Sequence, residues 1–364
     1  MRVVFERRLQ PSRSVALMVP VLSFVLALIM GGILLLAAGA NPVETYQAML
    51  EGAFGSGYAR SETLVKAIPL MLTGLAVSIA FRMLFWNIGA EGQLAMGALA
   101  TAWVPLFALK DSGLPTGVLL VLMGVAAFVA GALWGLIPAL LKAFLRVNEI
   151  ITTLMLNYVA ILLLDYLYTG PWKDKQGFGF PGTASFKEIA SLPRLPKELG
   201  FGRVHLGVLI AIVAAILIWL VLIRTKWGYE IRVIGENPHA ARYAGIGLVR
   251  NVLLVMVVSG GLAALAGYGQ VAGIAHRLQN GITVGDGFTA IIVAWLAKLH
   301  PIGVLIVAIL IAALSVGGDQ ITITMRLPAA MAGVLQGAIL FFVLGGEIFV
   351  RYRLRVVRTA ESKQ

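Results

Sequence analysis

Long stretches of Leu, Val, Ile, Ala and Gly alternate with short polar breaks, and several runs of 16 or more residues carry no charge. A helix needs about 20 such residues to cross roughly 30 Å of hydrocarbon, so the breaks mark the ends of spans. The pattern predicts helices over 15–38, 64–84, 90–109, 117–140, 149–168, 206–223, 251–274, 284–299, 301–316 and 328–350, about ten in all. Between 284 and 316, glycines, Asp286 and Pro301 interrupt the run, and two spans or one re-entrant hairpin both fit it. Helices and closed barrels are the structures that satisfy their backbones in lipid. The expected fold class is therefore all-α, a polytopic transmembrane helix bundle.

The first apolar run follows a basic segment, as in a secretory signal, but it is longer than the roughly 7 to 15 residues of a signal core. It reads as an uncleaved first span. With the N-terminus inside, 18 of the 29 Lys and Arg residues fall on inner segments, and six more lie in the long outer loop 169–205. Long loops largely escape the positive-inside rule, so an even number of spans with both termini cytoplasmic fits the charge. The chain divides into a basic N-terminus (1–14), a membrane domain (15–350) with an extracytoplasmic loop (169–205) and a cytoplasmic loop (224–250), and a basic tail (351–364).

Composition agrees, with 59% hydrophobic and 13% charged residues against about 25% charged in soluble domains. The net charge of +12 lies at span ends and is not gathered into an aromatic-interleaved patch. It reads as orientation and contact with anionic lipid, not as nucleic-acid binding. No cysteine is present, which excludes disulfides and thiolate metal sites.

Polar residues inside membrane helices are costly and become candidates for function. FWNIGAEGQ (85–93) places Asn87, Glu91 and Gln93 beside Trp86 between two apolar runs. A helix beginning near Gly89 or Ala90 would draw Glu91 into its first turn, with Asn87 as a cap, and Gln93 is left without a reason. In VNEIITTLMLNYVA, Glu149, Thr153 and Asn157 recur every four residues and share one helix face; interhelical glue and a solute path both account for them. In GDGFTAIIVAWLAKLHPIG, Asp286 lies between two glycines, followed by Phe288 and Thr289, and helix capping competes with a path role. Trp86 and Trp295 sit beside polar motifs and could stack on a base, whereas tryptophans also form interfacial belts. His205, His239, His276 and His300 are scattered near span ends and read as interfacial.

The cytoplasmic loop holds the clearest local signal. Asn237 followed by Pro238 is a helix start, and Gly245 is placed to end that helix. Two turns are not stable alone in water, so the helix must dock. Ala240, Ala241 and Ala244 would offer it a small-residue surface, with Arg242 and Tyr243 as anchors.

Taken in order, FWNIGAEGQ, VNEIITTLMLNYVA, GENPHAARYAGI and GDGFTAIIVAWLAKLHPIG resemble the permease subunits of bacterial ABC importers of the branched-chain amino acid and simple-sugar group. The likeness is closest to nucleoside (purine-type) permeases and runs from about residue 60 to 350. It implies a multi-pass permease of the bacterial plasma membrane, in which Gly235, Glu236, Asn237, Pro238, Ala240, Ala241, Arg242, Tyr243, Ala244 and Gly245 form the coupling helix seated in a cytoplasmic ATPase. It further implies a second permease subunit, with a heterodimer favoured over a homodimer, and an extracytoplasmic substrate-binding lipoprotein. Asn87, Glu91, Gln93, Thr153, Asn157, Asp286, Phe288, Thr289 and Trp86 become its substrate-pathway residues. The chain has no Gly-x-x-x-x-Gly-Lys loop, so ATP and magnesium would be bound by the partner, and no cofactor, metal or catalytic residue is expected in this chain. A simple sugar or another small polar solute is the alternative cargo. An ion-coupled transporter would instead bury paired carboxylates mid-bundle, and the acidic residues fall mostly near predicted span ends.

Overall fold

The computed structural model describes residues 2–7, 13–110, 112–177, 179–196 and 202–357. The basic residues of the predicted N-terminus between 8 and 12, and those of the tail from 358 onward, lie outside these. The described residues form thirteen α-helices and one two-stranded antiparallel sheet, in two compact units.

One unit joins the first 55 residues to those from Leu314 onward. It holds α1 (Arg13–Ala37), α2 (Pro42–Phe54), the second half of α12 (Pro301–Thr324) and α13 (Ala329–Arg351). α2 is bent by 113° from α1: Gly39 takes a left-handed φ of +79°, and Asn41 caps the new helix by accepting from Val43 N–H at 3.0 Å. Leu35, Met49, Ile321, Leu327 and Leu335 form the core. The sheet pairs β1 (Arg2–Arg7) with β2 (Tyr352–Val357), Arg2 opposite Val357. Local pattern did not foresee it, because neither strand has a neighbour nearby in sequence.

The other unit runs from Ser56 to Ala313 and contains α3 (Gly57–Arg82), α4 (Ala90–Trp103), α5 (Thr116–Leu145), α6 (Glu149–Thr169), α7 (Gly207–Arg224), α8 (Lys226–Glu236), α9 (Pro238–Tyr243), α10 (Leu248–Gln270), α11 (Asp286–Leu296) and the first half of α12. α10 packs against α3, α4 and α5. Small residues make this possible, as membrane interfaces require. A Cβ on Gly97 would run into the Ala264 backbone, one on Gly267 into Leu94, and one on Gly131 into the Gly260 carbonyl.

The expectation of about ten spans needs correction. All ten predicted helices form, but among the described residues seven are long and apolar enough to cross a membrane, or up to eight if the bent α1–α2 pair counts as one. α4 has 14 residues before a π-helical turn at Val104–Ala108, and α11 has 11. At 1.5 Å per residue these reach about 21 and 16 Å. Hydropathy registers an apolar run whether or not regular helix continues through it. The all-α polytopic class stands, with the short β1–β2 pair as its one addition among the described residues.

Candidate functional site

The FWNIGAEGQ segment is a break between α3 and α4, opened by Leu84 at a left-handed φ of 59°. Gly89, not Asn87, occupies the capping position of α4. Asn87 instead turns its amide onto Gln93: its Nδ2 donates to Gln93 Oε1 at 3.0 Å, and its Oδ1 accepts from Gln93 Nε2 at 3.1 Å. The same oxygen accepts from Gly89 N–H at 3.0 Å, and the same nitrogen donates to Ser259 Oγ of α10 at 2.9 Å. Ser259 passes its proton on to the Ala76 carbonyl of α3 at 2.6 Å. Gln93 thus has its reason, as partner of Asn87.

The α6 face docks on the break. Asn157 donates to the Ile88 carbonyl and accepts from Gly92 N–H, both at 2.8 Å. Thr153 accepts from Ile88 N–H at 3.3 Å and donates to the Glu149 carbonyl at 2.7 Å. Gly92 is required here, since a Cβ would lie 2.9 Å from Asn157 Cα. Glu149 is buried and pairs with Lys142 across the α5–α6 turn, more than the helix-dipole role expected of it.

Glu91 reaches the start of α11. Its two carboxylate oxygens accept from Gly285 N–H at 2.8 Å and Gly287 N–H at 2.6 Å, gripping the backbone on both sides of Asp286. Asp286 in turn accepts from Gln270 Nε2 at 3.2 Å, and Lys66 is near enough to act on it electrostatically. These groups lie deep, because Gly92 is level with Asn157, eight residues into α6 or about 12 Å along its axis. Two carboxylates, Glu91 and Asp286, therefore come close inside the bundle. α4 and α11 begin there, and hydropathy had assigned their first residues to span ends.

Asn87, Glu91, Gln93, Thr153 and Asn157 are at most 1% exposed. The structure brings these five together, with Asp286 at their edge and their polar atoms turned onto one another. Phe288 is more exposed at 37%, and Thr289 is half-buried. Trp86 stands apart from the amides in an aromatic trio, its ring 4.9 Å from Phe81 and 5.9 Å from Trp295. Ser259 and Gln270 escaped the sequence reading. The glycine pair after Ser259 and the π-helical turn after Gln270 (Val271–Ala275) are their only local marks.

Above Gln270 opens a cleft of about 1460 Å³. One wall is the loop between α6 and α7, tied by Thr183 N–H to the Leu278 carbonyl, Phe186 N–H to the His276 carbonyl and Leu192 N–H to the Ala272 carbonyl, at 2.8 to 2.9 Å. Arg194, Arg203, Arg277 and Glu188 are among its charged lining residues. His205 locks the loop down. It is wholly buried in a slot walled by Gly207 and Gly273, either of which would strike the ring if it carried a Cβ. Its Nδ1 accepts from Gly207 N–H at 3.1 Å, and its Nε2 has no hydrogen-bond partner among the described residues. Burial, reinforced by nearby His276 and Arg194, pushes its pKa down to about 4. His276, beside Ser191 Oγ at 3.1 Å, is also lowered by burial. His205 is thus a packed residue of the loop, while His239 and His300 are exposed.

On the opposite face, Asn237 caps α9 by accepting from His239 N–H at 2.9 Å and Ala240 N–H at 3.1 Å. Gly245, at φ +75°, ends it, with Ile246 N–H closing on the Ala241 carbonyl at 3.0 Å. The start and stop read from sequence are both present. The surface is not as expected: Ala241 is fully buried, so the outward face carries Ala240, Arg242, Ala244 and Tyr243, the last 95% exposed. Asn237, Pro238 and Glu236 are exposed beside them. Gly235 faces inward, where a Cβ would collide with the Arg82 carbonyl at the end of α3. α8 thereby lies directly against the strand of chain that becomes the FWNIGAEGQ break.

A membrane bundle with a capped, docking-ready helix on one face and a polar cleft on the other is the outline of a transport subunit. Residues 59–344 match the family described as branched-chain amino acid transport system / permease component, and the chain belongs to that family. It is a multi-pass plasma-membrane protein. It is 38% identical to a glucose ABC transporter permease protein, TsgB13, of Haloferax volcanii, over 96% of this chain and 94% of the relative. It is 35% identical to a guanosine ABC transporter permease protein, NupP, of Bacillus subtilis, over 90% and 92%. A second guanosine permease protein of that organism, NupQ, is 31% identical over 67% and 76%. No solved structure matches.

Proposed function

We propose that this chain is a permease subunit of an ATP-driven importer of nucleosides. The observation that carries the reading is family membership together with α9, a capped two-turn helix that leaves Tyr243 and Arg242 exposed. α9 and the Gly235–Gly245 segment seat in a cytoplasmic ATPase that binds ATP and magnesium, and this chain hydrolyses nothing and carries no cofactor. Both termini are cytoplasmic, in keeping with the pairing of β1 and β2 on one side. A binding lipoprotein delivers solute to the outer cleft. The path passes Asp286, Phe288 and Thr289, with Trp86 farther in, and the Asn87, Glu91, Gln93, Thr153 and Asn157 cluster holds the helices that frame it. A second, different permease completes the pathway, supported by the two matching guanosine permeases of one organism.

A simple sugar is the second reading, favoured by the 38% identity to a glucose permease. Uptake into proteoliposomes holding both permeases, the ATPase and the binding protein tests both. Guanosine uptake that requires ATP is expected. Uptake of glucose alone would replace the cargo, and uptake driven by an ion gradient without the ATPase would overturn the importer reading.

A further inference from the structure

Arg82, the last residue of α3, joins two elements that are far apart in sequence. Its backbone carbonyl lies against Gly235 of α8, so closely that no side chain fits between them. Its half-buried side chain reaches the other way, where Nη2 donates to the Leu299 carbonyl at 3.2 Å, in the turn between α11 and α12. Arg232 of α8 is near enough to act on the same guanidinium electrostatically, and is itself held by the Leu222 carbonyl in the last turn of α7. The turn that Arg82 grips is strained. Lys298 and Leu299 take consecutive left-handed φ values of 51° and 57°, which residues with side chains disfavour. Lys298 N–H closes on the Trp295 carbonyl and Leu299 N–H on the Ala294 carbonyl, both at 2.9 Å, so the strained pair is tied to the last turn of α11. That turn carries Trp295, whose ring lies 5.9 Å from Trp86 and 6.1 Å from Phe81, the residue before Arg82. Such backbone strain gathers at switch regions, and hinges are commonly a few turn residues that absorb the change in φ and ψ.

Resting on the importer reading, we propose that Arg82 is a positioning residue that latches the α11–α12 turn to α8, so that a movement of α8 is passed to Trp295 and alters its contact with Trp86. Displacing α8 shifts the Arg82 backbone on which Gly235 rests, and changes the repulsion that Arg232 exerts on the guanidinium. Both act on the one hydrogen bond that holds the Leu299 carbonyl. When that bond breaks, Lys298 and Leu299 relax out of the left-handed region and turn the end of α11. Arg82 touches no solute in this account. Its part is to make the strained turn answer to α8.

The test uses the complete transporter in proteoliposomes and measures guanosine moved per ATP hydrolysed in wild type, Arg82→Met and Arg82→Lys. Methionine keeps an apolar stem and loses the donor, so hydrolysis should persist while guanosine moved per ATP falls about tenfold, the factor that a hydrogen bond from a charged group is worth. Lysine can still donate to the Leu299 carbonyl and should restore most of the ratio. An unchanged ratio in Arg82→Met overturns the proposal, as do equal losses of hydrolysis and uptake, which would make Arg82 a structural residue only. Spin labels on Arg146→Cys and Lys298→Cys, both exposed positions in a chain without cysteine, follow the turn itself. Their separation should differ between nucleotide-free and ATP-trapped transporter, and should stay fixed when Arg82→Met is added. A separation that does not respond to ATP with Arg82 intact overturns the proposal even if Arg82→Met fails to insert. Uptake by wild type that needs no ATPase sinks the importer reading itself, whereas ATP-driven uptake with a turn indifferent to Arg82 sinks only this inference.

Discussion

Asn87 and Gln93 exchange a reciprocal pair of amide hydrogen bonds with no exposed surface around them; Asn87 also has Ser259 and Gly89, so it is the removal of Asn87 that strands Gln93. An unpaired buried polar group costs about 1 to 3 kcal/mol. Asn87→Ala should therefore lower the thermal midpoint of the detergent-solubilised protein by several degrees, while Gln47→Ala at an exposed position of α2 should leave it unmoved. His205 allows a signed prediction. An unfolded histidine takes up its proton near pH 6.5, whereas the buried one does so only near 4. The neutral fit is fully present above pH 6.5 and is lost as the pH falls toward 4, at a cost of about 3 kcal/mol for the full window. Hydrogen exchange across residues 183–196 should accelerate over that interval, and a His205→Gln variant should show a shallower pH dependence there, with the remainder from His276. Residue-level legibility followed distance. Asn237 and Gly245 act on neighbours within a few positions and could be read from sequence. Ser259 meets Asn87 across 172 positions, and a lone serine in an apolar run carries no trace of that.

α8 and α9 form the one pair of elements that touches both the free face and the polar break. Because Ala241 is buried, enlarging it should damage the loop itself rather than its docking, and the informative change is Tyr243→Ala. That variant should insert normally and bind solute, yet lose most ATP-driven uptake in proteoliposomes, roughly tenfold, for want of its protruding side chain. Gly235→Val should do the same by a different route, pushing α8 off the Arg82 carbonyl. Retained uptake in either would separate α9 from coupling. Each predicted apolar run does become a helix, whereas α2, α8 and the β1–β2 pair, which are not long apolar runs, were not legible. Neither was element length, since the polar residues that open α4 and α11 lie within the bundle, satisfied by Asn157, Gly285 and Gly287 rather than by water.

The whole chain contains no cysteine, so its topology can be mapped with single introduced thiols and no background. Tyr243→Cys should react with an impermeant maleimide only in inside-out vesicles, and Ser185→Cys only in right-side-out ones. The reverse pattern would invert the orientation proposed for every loop. The pairing of Arg2 with Val357 bears on synthesis as well as on architecture. Translation adds about 5 to 20 residues per second, so β1 leaves the ribosome roughly tens of seconds before β2 exists. During that interval α1 has neither α13 nor the second half of α12 to pack against, and lipid must shelter it alone. The middle of the chain, complete in its own contacts, has time to settle first, and the ends close afterwards like a clasp.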